Sequence, residues 1–260
     1  IDNAEVKAVF VTVSEIRVDG QKVDGFQKTT IEVSALTDGK TVLLQDTELE
    51  ADAISEITLV LDYDSTDKGN TPGTYILKTD GSIEAMSSNS SEVSITKFLE
   101  LDGNSKNEIV FDFDLRKMVK EESEGDFELI TKAELESAIR IVSKANTGTV
   151  EGKVDSASNV KGKAIAYLYV KGEYNATEMS AQGESKIQFK NAVNSAVIAN
   201  DGSFKLAFTE EGEYEIHIFE YDDVDNDGRL EITGKLELNA KGSAGVDGFN
   251  VDANGKTDLN

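Results

Sequence analysis

Nine consecutive residues carry the sharpest chemical pattern in the chain: Asp223-Val-Asp225-Asn-Asp227-Gly228-Arg229-Leu230-Glu231. Carboxylates at alternate positions followed by glycine let a tightly turned backbone converge oxygens on a hard cation. The carbonyl of Arg229 and the side chain of Glu231 are further candidate ligands, and calcium in a structural role is the natural occupant. An EF-hand needs a bidentate Glu at its twelfth position, which here is Gly234. The flanks, Tyr214–Glu220 and Leu230–Leu238, also alternate as strands and not as helices. The loop therefore reads as an acidic hairpin connection, and Asp222 or a distant residue would have to complete its ligand set. The plain alternative is a hairpin turn with Asp227-Gly228 at its tip.

Other residues offer less. Asp112 and Asp114 share one strand face, and a neighbouring strand could bring Asp62 to a common cation, but a solvated acidic face is the favoured reading. His217 is the only histidine in a chain without cysteine, so a zinc site or a catalytic triad has no support and a structural role is expected. Ser94-Ile-Thr-Lys97 and Ser158-Asn-Val-Lys161 match Ser-x-x-Lys without the helix start and partner motifs that pattern needs. No nucleophile elbow, phosphate loop or dinucleotide fingerprint occurs, so the expectation is a protein that is not an enzyme. A calcium-dependent carbohydrate-binding protein is the main alternative. Tryptophan is absent, and Tyr167, Tyr169, Tyr174, Tyr214 and Tyr221 would have to serve as stacking surfaces. Lys163 and Asn250 are conceivable partners for an isopeptide cross-link.

The composition limits the partners. Fifty acidic against 26 basic residues give a net charge of −24, a field that repels nucleic acid and anionic lipid and leaves cations, basic proteins and neutral ligands. No stretch approaches the length of a membrane span. The sequence opens at Ile1 with neither Met nor a basic-then-apolar leader, so any export signal or lipid anchor is expected upstream of it.

A period of two dominates the elements that must position these residues. Ile109, Phe111, Phe113 and Leu115 alternate with Asp112 and Asp114, as do Ile57, Leu59, Leu61 and Tyr63 with Thr58, Val60 and Asp62, and Tyr214, Ile216 and Ile218 with Glu215 and His217. The first strand changes phase between Val9, Val11, Val13 and Ile16, Val18, which predicts a bulge. Asp-Gly and Asn-Gly pairs recur from Asp19-Gly20 to Asn254-Gly255 and predict many short antiparallel strands. Helix is expected only as a turn or two after Thr131-Lys-Ala-Glu134, which has capping-box spacing, and within Leu115–Glu122. The fold class is all-β, two antiparallel β-sandwich domains in tandem. The polar run Ser143–Thr147 places the boundary between residues 1–145 and 146–260.

Several of these segments carry a resemblance. Val6–Val18, Thr41-Val-Leu-Leu44, Ile57–Asp62, Ile109–Asp114 with Arg116-Lys117, and Ile139–Val142 resemble the domain-of-unknown-function 4382 family of bacterial exported lipoproteins. The resemblance implies a β-sandwich, export to the periplasm, outer membrane or cell surface, and membrane attachment only through an upstream lipid anchor. It implies no activity. Asp2-Asn3-Ala4 departs from the family's Asp-Ala-Pro start, and extra residues precede the last strand near Thr131–Ser137. In the second half, Gly148–Val154, Ile165–Tyr169 and Asp201-Gly-Ser-Phe204 with Gly212–Ile216 resemble transthyretin-like, carboxypeptidase-regulatory-like domains, which implies a stalk or spacer. Together the two resemblances imply a non-catalytic cell-envelope ectodomain that scaffolds or adheres to a protein or glycan.

Overall fold

The computed structural model describes residues 6–48, 53–123, 126–130, 132–154, 162–225, 227, 230–236, 246 and 248–259, with only the backbone at 121–123, 126, 132 and 133. The described residues are mostly β-strand, as the periodicity predicts, with two short α-helices among them. The first unit contains β1 (Val6–Val18), β2 (Gln21–Lys22), β3 (Thr29–Glu32), β4 (Ala53–Leu61), β5 (Tyr75–Lys78), β6 (Ile83–Ala85), β7 (Glu92–Glu100), β8 (Ile109–Phe113), α1 (Leu115–Met118), β9 (Val119–Ser123), β10 (Asp126–Leu129), α2 (Lys132–Ala138) and β11 (Ile139–Ser143). The second contains β12 (Thr147–Lys153), β13 (Lys163–Val170), β14 (Asn194–Val197), β15 (Ser203–Glu210), β16 (Gly212–Asp222), β17 (Glu231–Leu236), β18 (Phe249–Val251) and β19 (Lys256–Leu259).

The units divide between Ser143 and Lys144, inside the polar run read from the sequence but two residues earlier. Ser143 still pairs with Ile109 in the β11–β8 ladder. The next residues belong to the second unit by hydrogen bonding: Glu211 N–H donates to the Asn146 carbonyl (3.2 Å) and Asn254 Nδ2 to the Ala145 carbonyl (3.0 Å).

In the first unit β1 is the hub of a seven-stranded sheet, pairing with β2, β3, β4 and β5. Its register with β4 shifts between Val13 and Glu15, where the apolar residues change phase. Val9, Val11, Val13, Ile57, Leu59 and Leu61 are buried, each contributing roughly 1.5–3 kcal/mol of transfer free energy. Thr12 is buried too, and its hydroxyl donates to the Gly73 carbonyl (2.6 Å), which fastens the loop after β4 onto β1. Gly73 is required there, because a Cβ would lie 2.5 Å from the Asp62 carbonyl oxygen. The strict in–out alternation read for Ile109–Phe113 is absent: all five residues are half-buried, because β8 pairs only with β11 in a two-stranded ladder. The two helical expectations fall on α1 and α2, while Thr131 of the capping-box pattern lies outside the described residues. Residues 41–44 form no regular strand, and Leu43 is exposed.

The second unit is a two-sheet sandwich. One sheet has the order β15-β12-β19, the other β14-β13-β16-β17 with β18 also on β16. Their facing residues, among them Val150, Leu206 and Leu259 from one and Leu168, Ile216 and Ile218 from the other, form one core. The β12–β19 pairing is parallel, a departure from the all-antiparallel expectation. Ala164–Tyr169 of β13 are buried at every position, so this strand is covered on both faces and reads as a continuous apolar run. Its second cover is the segment 171–193, whose Phe189 and Ala192 pack with Ile165, Tyr167, Tyr169, Phe219 and Tyr221 in a second core. Among the described residues no helix is long and apolar enough to cross a membrane.

Candidate metal centre

The acidic loop joins β16 to β17, and its flanks are paired strands, Ile218 with Leu236 through Asp222 with Glu231, with a register shift between Glu220 and Tyr221. Leu230 and Ile232, on the returning side, pack against the second core and fix where the loop re-enters the sheet. Between these anchors the chain turns tightly: the Asp227 N–H donates to Asp223 Oδ1 (3.1 Å) and Asp225 Oδ1 (3.3 Å). One oxygen each from Asp223, Asp225 and Asp227 lies within 4.8 Å of the others. Asp223 is half-buried, while Asp225 and Asp227 are exposed.

Glu231 Oε2 is turned instead to the Val224 N–H (3.0 Å), so it braces the loop from β17. Arg229 and Gly228 lie outside the described residues. Gly234, at the position of an EF-hand's final ligand, sits in β17 and brings no oxygen-bearing side chain. Three carboxylates this close repel one another, and a divalent cation reverses the sign of that interaction. The chemistry available is oxygen coordination of a hard cation, with fewer protein ligands than the six to eight that calcium takes; water would supply the rest.

Asp62, Asp112 and Asp114 are not brought to a shared cation. Each faces a basic side chain: Lys28 Nζ with Asp62 (2.6 Å), Arg140 with Asp112, and Arg116 (3.2 Å) and Lys117 (3.6 Å) with Asp114. Burial opposes ionisation of Asp62, but the Lys28 ammonium and the N–H groups of Ser65 and Asp64 outweigh it and hold the carboxyl below its ordinary range. Burial likewise works against Asp114, yet Arg116 and Lys117 bring its carboxyl down to about 2. This aspartate caps α1, accepting the Arg116 N–H, and is no part of a solvated acidic face.

Lys28 also donates to Ser65 Oγ (2.8 Å), a serine–lysine contact that the sequence pattern did not expose because the residues are 37 positions apart. A lysine general base must be neutral. Here its ammonium bridges Asp62 and Ser65, while the Asp64 and Ser65 N–H groups are consumed by Asp62 Oδ1 (2.8 and 3.0 Å), leaving neither of them for an oxyanion. The contact is a clip between two loops. Ser94 lies in the strand β7, and Ser158 and Lys161 fall outside the described residues.

The tyrosines do not form a ligand platform. Tyr167, Tyr169, Tyr214 and Tyr221 are all buried, and Tyr174 is half-buried against His217, with ring centres 3.9 Å apart. The Tyr167 and Tyr221 hydroxyls bond each other (2.6 Å). Lys163 and Asn250 cannot cross-link. On β16 they pair with Tyr221 and Glu213, eight residues apart, a separation of about 26 Å at 3.3 Å per residue.

A buried polar cluster that the sequence did not reveal lies under the 171–193 segment. Glu178, fully buried, accepts from Tyr169 Oη (3.2 Å), Gln182 Nε2 (3.1 Å), Asn191 N (2.9 Å) and Asn191 Nδ2 (2.7 Å). Four neutral donors occupy the carboxylate's acceptor sites, which is how a buried charge is accommodated without a cation.

Compared with known families, residues 2–131, half of the chain, match the model described as a domain of unknown function, DUF4382. The chain belongs to the DUF4382 family. The DUF4382 match stops before α2 and β11, which complete the first unit. No curated protein matches the chain. Among solved structures, the major pilin subunit BcpA of Bacillus cereus aligns at 14% identity over 98% of this chain and 59% of that one, with a TM-score of 0.21. The pilus backbone RrgB of Streptococcus pneumoniae aligns at 10% identity over 100% and 89%, with a TM-score of 0.14. The chain thus spans about three-fifths of the Bacillus cereus pilin's length. Likeness at these scores carries no argument, and the β-sandwich assignment rests on the sheets themselves.

Proposed function

We propose that this DUF4382 protein is the non-catalytic ectodomain of an exported, lipid-anchored cell-envelope protein. Its two β-sandwich units scaffold or adhere, and calcium stiffens the hairpin loop of the second. The observation that carries the calcium reading is the convergence of Asp223, Asp225 and Asp227 within 4.8 Å at the end of a hairpin braced by Glu231. A non-catalytic role is supported by how the ionisable groups that most resemble catalytic ones are used: Asp114 in ion pairs, Glu178 in four hydrogen bonds, and Lys28 in a loop clip. The sequence resemblance of Gly148–Val154, Ile165–Tyr169, Asp201–Phe204 and Gly212–Ile216 to transthyretin-like domains supports a spacer role for the second unit.

The carbohydrate-binding reading required tyrosines on the surface, and four of the five are buried. It is set aside in favour of the scaffold. Calorimetric titration with calcium tests the proposal: the wild-type chain takes up one ion, and Asp225→Asn weakens uptake at least tenfold. Equal uptake by both proteins removes the loop from the account.

A further inference from the structure

Residues 171–193, between β13 and β14, cross the outer face of the five-stranded sheet and cover Tyr167, Tyr169 and Phe219. Besides Glu178, the segment is held by Glu215, whose Oε1 accepts the N–H groups of Gly172 (3.2 Å) and Tyr174 (3.0 Å). Next to that anchor stands His217, the sole histidine and so the one side chain whose ordinary titration falls between pH 5 and 8. Its side chain is 11% exposed.

Charged and titratable groups stand around His217 and the rings packed on it. On its own strand, Glu215 Oε2 is 3.7 Å from Nε2. From β13 come Tyr167, its register partner, and Tyr169, edge-on with ring centres 5.9 Å apart. From the covering segment come Tyr174, at 3.9 Å between ring centres, and Glu178, which lies behind Tyr169. From β17 comes Lys235, whose ammonium is 4.7 Å from the Tyr174 ring centre and 5.9 Å from that of Phe219. Burial and then the carboxylates of Glu178 and Glu215 push the Tyr174 phenol above its ordinary value, so both negative charges act at the ring that stacks on His217.

We infer that protonation of His217 fastens the 171–193 segment to the sheet, making it a pH-responsive strap. The added charge falls between the carboxylate that already holds two strap N–H groups and the face of a strap tyrosine, and both attract an imidazolium. Desolvation and the Lys235 ammonium oppose it; the Glu215 carboxylate, the one charge placed beside the imidazole at 3.7 Å, decides the sign.

A single histidine gives a single imidazole Cε1–H resonance, so an NMR titration of the wild-type protein from pH 8 to pH 5 tests the strap directly. The Gly172 and Tyr174 amide resonances are expected to move with the imidazole midpoint. Their exchange, corrected for its intrinsic pH dependence, is expected to slow on the order of tenfold on acidification. His217→Gln abolishes both responses if the account holds. Strap amides that stay still while the imidazole titrates, or that exchange faster in acid, overturn it, and the wild-type titration alone decides if the variant fails to fold.

Discussion

Asp222 faces Glu231 as the last registered pair of β16 and β17, and this pairing closes the acidic connection between them. The consequence is chemical as well as topological. Glu231 belongs to a strand, and its carboxylate reaches back to the Val224 N–H, so the oxygens left to converge are those of Asp223, Asp225 and Asp227.

Removing one of those carboxylates separates repulsion from coordination. In chelator, Asp225→Asn should be slightly more stable than wild type, by a few tenths of a kcal/mol, because a like charge at an exposed position has gone. In millimolar calcium the order reverses, since the wild type alone gains from binding. Paired denaturation curves in the two buffers check this.

The ion pairs of Asp114 give the first unit an acid dependence. Its carboxyl sits at about 2 in the fold against an ordinary 3.8. The stabilisation, about 2 kcal/mol, is therefore complete above about pH 4 and is lost as pH falls towards 2. Asp114→Asn should remove this acid dependence and lower stability at pH 7 by about 3 kcal/mol, because Arg116 and Lys117 then face no charge at that position. Urea midpoints at pH 7, 4 and 2.5 measure both effects.

Glu178 and Tyr169 should differ in cost although they bond each other. Tyr169→Phe removes one of four donors and should cost about 1 kcal/mol. Glu178→Ala strands Asn191, Gln182 and Tyr169 together and should cost about 3 kcal/mol or more. Chemical denaturation of the two variants ranks them; equal costs would mean that the other three bonds contribute nothing.

Glycines in β12 are there for space. A Cβ on Gly148 would lie 2.5 Å from the Asp252 carbonyl oxygen, and one on Gly152 would be 2.8 Å from the Leu259 carbonyl oxygen and would collide with Cζ and Cε1 of Phe204. Gly152→Ala should destabilise the second unit by roughly 1–3 kcal/mol through overpacking, which thermal unfolding would register.

Periodicity was enough to read Ile57–Leu61 of β4, Tyr214–Ile218 of β16 and the bulge in β1, because their alternate apolar residues are the buried ones and the pattern records which face they share. It failed where burial is not one-sided. Ile109–Phe113 alternates in sequence but is half-buried throughout, and Ala164–Tyr169 is buried on one face by the opposite sheet and on the other by a segment with no regular pattern of its own. The acidic loop was legible because its ligands are local. The partners of Asp62, Asp114 and Glu178 were not, since those contacts depend on loop closures or on which side of a short helix a side chain falls. The Lys163–Asn250 pairing fails on register, which residue type does not encode.

Thermal unfolding of the wild-type protein in millimolar calcium and in chelator is the most direct test of a calcium-stiffened spacer. At a hundredfold excess of calcium over its dissociation constant, binding to the folded state contributes about 2.7 kcal/mol, and the midpoint of the second unit should rise by several degrees. Superimposable transitions in the two buffers would contradict the account.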